Sequence, residues 1–322
     1  MRAALLVFGY GVVVAWCLPA LLTRLTAAGF SARLGLAAWL AAMVSVLAAV
    51  LAAIQYLITA AVAGWPQLAE AVCRSVAGGA CTVVVYRSAF FELSMGLAAA
   101  TAALALVVLA WRYGRSVQRA QRRTRAHAEA ARITGRRLPG GGAAVVLDAA
   151  QPAAYCVPGR PAAIVLTSAA LDVLDPGQLT AVLAHERAHL AGRHHLLIAL
   201  TRGLAATFPG VPLFTQGPAE VARLAELCAD DAAARRSSRS TLVAALLAMG
   251  TGTPVQAVPA AALAATGGAV TARVQRLLEP APPARHARNR LALATVILLL
   301  AVASALVTRY AGPLATHGFA VR

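Results

Sequence analysis

His185, Glu186 and His189 stand together in Leu183-Ala-His-Glu-Arg-Ala-His-Leu190. On a helix the two histidines fall one turn apart on the same face, with Glu186 beside the first. Imidazoles at that spacing suit a Zn2+ ion, and the neighbouring carboxylate is placed to take a proton from water and pass it to a leaving amine. The bland alternative makes both histidines helix-surface residues that pair with Glu186 or with solvent. A catalytic zinc also needs a third protein ligand and an open position. Two residues compete for that role. His195 follows Gly192 in His189-Leu-Ala-Gly-Arg-His-His195, a spacing at which a helix ending on glycine lets a third histidine swing back. Glu226 lies downstream in Ala219-Glu-Val-Ala-Arg-Leu-Ala-Glu-Leu-Cys-Ala-Asp-Asp231, a helical stretch able to lie against the first helix.

Glu226 is the preferred ligand for two reasons. The residues after Gly192 read as a continuing apolar helix, and the chain's 12 acids are scarce yet include Glu186, Glu220, Glu226, Asp230 and Asp231 close to the motif. Asp230, one turn after Glu226, can accept the outer ring N–H of a ligand histidine and fix its tautomer. Asp231 faces elsewhere. Arg235 and Arg236 are candidate donors to a developing oxyanion, or else solvated charges. His194 and His195 otherwise read as polar residues near the membrane or the substrate cleft.

The elements that must hold these residues belong to a membrane protein. Of the 322 residues, 60% are hydrophobic and only 13% charged, and the net charge of +17 rests on arginine alone, since the chain has no lysine. Arginines beside apolar runs are topology determinants and anionic-lipid contacts, a better account than nucleic-acid binding. Four runs are long enough to cross a bilayer, at about 3–22, 34–63, 88–111 and 291–310. The first reads as a retained span, because Pro19 and Leu21-Leu22-Thr23-Arg24 make a poor signal-peptidase site. Residues 112–137 form a basic helix leaving the membrane, 138–284 one protease-sized domain, and 285–322 the last span with a short tail. Arginine placement puts that domain in the cytoplasm and both termini outside, in the plasma membrane. The loop bearing Cys73 and Cys81 then faces an oxidising space where a disulfide can form. Residues 143–147 and 162–167 read as short strands of a hairpin or edge sheet, Ser168 as the cap of a short helix, and Asp175-Pro176 as the start of the motif helix.

With these residues in view, the stretch from Tyr155 to Pro283 resembles the BlaR/MecR-type membrane metallopeptidases, the β-lactam sensor-transducer family, relatives of the HtpX-type proteases. The resemblance rests on Tyr155-Cys-Val-Pro-Gly-Arg-Pro-Ala-Ala-Ile-Val-Leu-Thr-Ser168, on Leu179 to His189, on Phe208-Pro-Gly-Val-Pro212, on Glu226-Leu-Cys-Ala-Asp230 and on Arg273-Val-Gln-Arg-Leu-Leu278. It implies His185, His189 and Glu226 as zinc ligands, Glu186 as base, Asp230 behind them, and an edge strand at Tyr155, Cys156 and Val157 that holds substrate in extended form. It also implies cleavage of a cytoplasmic protein, in signalling members a repressor. The penicillin-binding domain of the sensor-transducers has no counterpart in the residues after Tyr310, so direct β-lactam sensing is not expected.

The expected fold is mainly α: four transmembrane helices and a cytoplasmic zincin-like α+β domain with a small edge sheet. The expected function is that of an integral-membrane zinc endopeptidase. Quality-control proteolysis of the HtpX kind and a catalytically silent receptor or scaffold are the alternatives. The partners are a peptide or protein substrate and the bilayer, without direct nucleic-acid contact; neither the trigger nor the oligomeric state is written in these residues.

Overall fold

A computed structural model describes residues 2–28, 31–76, 83–139, 143–157, 162–252, 268–279 and 282–311. Three long helices open the chain: α1 (Arg2–Thr26), α2 (Ala32–Val76) and α3 (Val83–Thr134). A small sheet follows, of β1 (Arg136–Arg137), β2 (Ala144–Leu147), β3 (Ala154–Val157) and β4 (Ala163–Thr167). Then come α4 (Ser168–Val173), α5 (Pro176–Ala191), α6 (His194–Thr207), α7 (Pro212–Ala233) and α8 (Arg239–Thr251). The helices α9 (Gly268–Leu278) and α10 (Pro283–Ala311) close the described chain. The expected Cys73 and Cys81 pair lies outside the described side chains.

Among the described residues, four helical segments are long and apolar enough to cross a membrane: Ala4–Thr26, Ala32–Ala60, Gly96–Arg119 and Pro283–Val307. Their outward faces are apolar; Leu97 and Leu291, for instance, are 67% and 70% exposed. Rows of bare leucine and valine of this kind are what lipid covers. Inside the bundle a polar contact joins three helices, with Tyr10 Oη 2.7 Å from Ser45 Oγ and Ser304 Oγ donating to Ser45 Oγ at 3.0 Å. The basic stretch after the third apolar run is the same helix continued, and it ends at Thr134, so Arg136 and Arg137 belong to β1 and not to the expected helix.

The sheet differs from a hairpin. Its order is β1-β2-β4-β3; β2 and β4 run parallel, and β3 pairs antiparallel with β4 at the outer edge. The run at 143–147 therefore returns to 162–167 by way of β3, which takes the outside place. The central strand β4 is buried along its whole length, as its unbroken apolar run requires. Thr167, not Ser168, caps α4: its hydroxyl accepts from the Ala170 amide, while Ser168 donates to Asp148.

The helices around the motif do not stand apart from the membrane bundle. Leu213, Phe214, Val221, Leu224 and Leu227 of α7 share one core with Leu22 of α1, Trp39 and Met43 of α2 and Leu293 of α10. At Gly217 a Cβ would run into Met43, so glycine is what lets α7 approach α2 this closely. Polar contacts pin the same junction: Arg223 bonds Glu220 at 2.7 Å and the Thr26 carbonyl at 3.0 Å, and Asn289 of α10 donates to the Leu25 carbonyl. On the other side α6 meets α3, where a Cβ on Gly203 would crowd Tyr113 and Val117. Helices α6 and α7 are thus buttressed by α1, α2 and α3. A second core, between the sheet, α5, α8 and α9, contains Leu166, Leu183, Leu242, Leu247 and Val274.

Leu224 is fully buried beneath Gly35 at this junction. Leu224→Ala should lower stability by about 2–5 kcal/mol, read as thermal unfolding in detergent, whereas Leu97→Ala on the bare face of α3 should leave it unchanged.

Candidate metal centre

A capping box starts α5. The Asp175 carboxylate accepts from the Gln178 amide at 2.8 Å, the Gln178 side chain returns to the Asp175 amide at 3.3 Å, and Pro176 fills the first helical position. The helix then presents His185 and His189 on one buried face, with Glu186 also buried. Across from them α7 presents Glu226. His185 Nε2 and His189 Nε2 are 3.1 Å apart, and each lies 3.4 Å from a Glu226 carboxylate oxygen. Bonds of about 2.0–2.2 Å to a tetrahedral ion leave neighbouring donors roughly 3.3–3.5 Å apart. The three side chains therefore already have the spacing of a set that shares one divalent cation, and they are the described residues that form such a group.

Each ligand is held from behind. Asp230, one turn after Glu226 and fully buried, brings Oδ1 to 3.1 Å from His185 Nδ1, a close electrostatic contact in which the N–H is not aimed squarely at the oxygen. Arg273 from α9 clamps Asp230 with two bonds, Nε to Oδ2 at 2.8 Å and Nη2 to Oδ1 at 2.6 Å, and reaches Glu226 Oε2 with Nη1 at 3.0 Å. His194 supports the second ligand, its Nδ1 lying 2.9 Å from His189 Nδ1. With Nε2 turned to the ligand cluster, the His189 Nδ1–H donates and His194 accepts. Local backbone makes this possible. Arg193 adopts the left-handed conformation at φ 48°, which turns the chain so that the ring of His194 lies back over the end of α5, in space that any Cβ on Gly192 would occupy.

Burial and close partners set the charge of each group in the cluster. Burial opposes charging His185, but the Asp230 and Glu226 carboxylates outweigh it and raise its pKa to about 9. The two carboxylates thus favour the protonated imidazole. Burial takes His189 the other way, down to about 4, against the pull of Glu226. Burial also works against ionising Asp230, yet Arg273 and His185 hold it down at about 2. Glu226 is likewise lowered despite burial, by His185 and Arg273. Glu186 behaves differently: burial raises its pKa, and the nearby His185 charge offsets that only in part. A carboxyl whose pKa is raised in this way is better suited to give back a proton it has taken.

A cleft of about 500 Å3 opens over the cluster. Tyr155 and Cys156 of β3 form one wall, Leu246, Met249 and Val270 of α8 and α9 an apolar one, and Glu186, Glu226 and Arg273 lie between. The Cys156 backbone also bonds the Glu186 carboxylate. Burial and Glu186 push the Cys156 thiol up to about 12, so it stays a neutral wall residue.

The structure places the remaining expected residues as follows. His195 lines the cleft but is not part of the ligand group. The helix does break after Gly192, contrary to the continuous reading, but α6 resumes at His194 at once and no loop carries a third histidine back. Arg235 and Arg236 sit beyond the end of α7 and line a cavity other than the cleft. Val157 turns inward, into a small core with Val145 and Val165. Asp231 is held by Arg276 at 2.7 Å. Two contributors escaped the sequence reading. Arg273 carried a signal, as an arginine in a helix of strongly one-sided hydrophobicity, but its partner is 43 residues away. His194 stood next to the residue that was weighed, and only the left-handed turn at Arg193 decides which of the two faces His189.

Residues 115–211 match the family model of Peptidase family M48. That stretch is less than a third of the 322 residues; it contains the sheet and the His185, Glu186 and His189 helix and stops short of Glu226, Asp230 and Arg273. Over it the chain is similar to metal-dependent peptidases in general. No curated protein and no solved structure matches.

Because a proton occupies His185 below about pH 9, a metal ion must displace it. Metal affinity should rise with pH from 7 to about 9, by about tenfold per unit, with one proton released per ion. Calorimetry in buffers of different ionisation enthalpy counts that proton. Asp230→Asn, which removes the carboxylate holding both His185 and Arg273, should weaken metal binding by about 10–100-fold.

Proposed function

We propose that the chain is an integral-membrane zinc endopeptidase that hydrolyses a peptide bond of a protein substrate on the cytoplasmic side. The observation that carries this reading is the convergence of two imidazoles and one carboxylate, His185 Nε2 and His189 Nε2 lying 3.1 Å apart and 3.4 Å from Glu226 Oε2 and Oε1 respectively, beside a buried carboxylate that is not a member of the group. Two nitrogens and one oxygen make the three-ligand pattern of catalytic zinc. When bound, the ion supplies Lewis-acid polarisation of the scissile carbonyl and lowers the pKa of water.

The chain's own residues supply the rest. β3 is an edge strand of the sheet and a wall of the cleft, so a substrate segment can run alongside it as a further strand. That pairing lays successive side chains alternately toward the apolar wall of Leu246, Met249 and Val270 and away from it. Glu186 accepts the proton of the attacking water, and its raised pKa suits it to return that proton to the leaving amine. Arg273 and Asp230 keep the ligands from moving as charge develops. The cytoplasmic placement rests on arginine density at 112–137 and 285–290. The narrower idea of a repressor substrate rests on the resemblance alone.

Glu186→Gln should retain the metal and lose hydrolysis by about 100–10,000-fold, and cytoplasmic proteins that accumulate uncut in a Glu186→Gln strain identify the substrate. If no transcript changes in that strain, quality-control cleavage replaces signalling as the role. Glu226→Ala should abolish metal retention while His195→Ala keeps it, measured as metal content of the purified chain. A wild-type chain that holds no metal at all sinks the enzyme reading and leaves the scaffold.

A further inference from the structure

On the face of α5 turned away from the cleft, the start of α2, α5 and the residues after α7 enclose a second cavity, of about 510 Å3. Four guanidinium groups converge on it from three segments: Arg33 in the first turn of α2, Arg187 on α5, and Arg235 and Arg236 beyond α7. Among the described residues no carboxylate lines it. Among the described residues, Arg33, Arg235 and Arg236 form no ion pair, and the nearby Asp231 is committed to Arg276. The floor is buried, formed by His194 and Cys228. Burial and Asp231 push the Cys228 thiol up to about 11 against the pull of Arg33, Arg276 and Arg235, so the cavity's positive field reaches its floor.

The like charges of Arg33, Arg235 and Arg236 around one concavity repel each other, and an anion with several acceptor oxygens turns that repulsion into attraction. Guanidinium forks match phosphate oxygens best. The position adds a source. Arg33 opens the membrane-length segment Ala32–Ala60, so the cavity lies at the end of that segment, the place where a bilayer crossed by it would present lipid phosphates. We propose that this cavity binds a phosphate group through Arg33, Arg187, Arg235 and Arg236, delivered by an anionic phospholipid headgroup or by free phosphate. It shares His194 with the metal centre, since that ring lines the cavity and also contacts His189.

The test uses the full chain, stripped of lipid in neutral detergent, in three arms: phosphatidylglycerol micelles, phosphatidylcholine micelles and inorganic phosphate. Native mass spectrometry counts retained lipid and thermal unfolding reads the phosphate arm. The wild type should keep a phosphatidylglycerol that the combined Arg33→Gln, Arg235→Gln and Arg236→Gln chain binds about tenfold more weakly or worse. A chain with Arg285→Gln, Arg288→Gln and Arg290→Gln, which removes the same charge before α10, should bind as the wild type does. Stabilisation by phosphate without lipid retention, lost in the cavity variant, supports the site with free phosphate as its source. If the triple variant does not fold, Arg235→Gln alone, at an exposed turn, should shift binding in the same direction. Equal loss in the Arg285, Arg288 and Arg290 variant, no loss in the cavity variant, equal retention of phosphatidylcholine, or no binding in any arm overturns the proposal. Glu186→Gln should behave as the wild type throughout, which separates this result from the fate of the peptidase reading.

Discussion

The buried guanidinium of Arg273 is the interaction on which the site depends. It doubly bonds Asp230, touches Glu226, and through Asp230 reaches His185, so one side chain of α9 fixes the positions of a ligand from α7 and a ligand from α5. A buried charge is tolerable only when it is paired. Here the pairing runs both ways: Asp230 without Arg273 would protonate or be driven outward, and Arg273 without Asp230 would be an uncompensated cation in the core. Three carboxylates, those of Glu186, Glu226 and Asp230, gather about the one guanidinium of Arg273, and Glu226 with the two imidazoles forms a group that could hold a cation.

That arrangement asks for rigid helices, and the fold meets the demand by joining the site to the membrane bundle. α7 carries Glu226 and Asp230 on one side and packs Leu213, Phe214, Val221 and Leu224 against α1 and α2 on the other. The opposite ligand helix α5 is fixed by its capping box at one end and by the Gly192 and Arg193 turn at the other. The metal centre is consequently formed where the apolar hairpin meets the polar domain, and the arginine-lined cavity behind α5 occupies the same junction.

Sequence disclosed most where the physics is local. The one-turn spacing of His185 and His189 needs nothing beyond a helix, and Asp175-Pro176 announces where that helix begins. Apolar runs and flanking arginines mark membrane-length helices because solvent preference acts residue by residue. Contacts set by tertiary packing were harder to read. Nothing in residues 143–167 distinguishes a hairpin from a parallel pair with an outer strand, since both bury the same apolar runs. Whether His194 or His195 faces the cluster depends on one left-handed residue, and arginine is an uncommon occupant of that conformation. Arg235 and Arg236 lie near enough in sequence to Asp230 to suggest the cleft, but α7 ends between them and the site, and they emerge behind it.

The measurement that bears most directly on the central claim is zinc-edge X-ray absorption of the zinc-loaded full-length chain. Two imidazoles and carboxylate oxygen at about 2.0–2.2 Å, with no sulfur, is the shell that His185, His189 and Glu226 predict. A shell of three imidazoles, or a sulfur at about 2.3 Å from a residue such as Cys156, contradicts it.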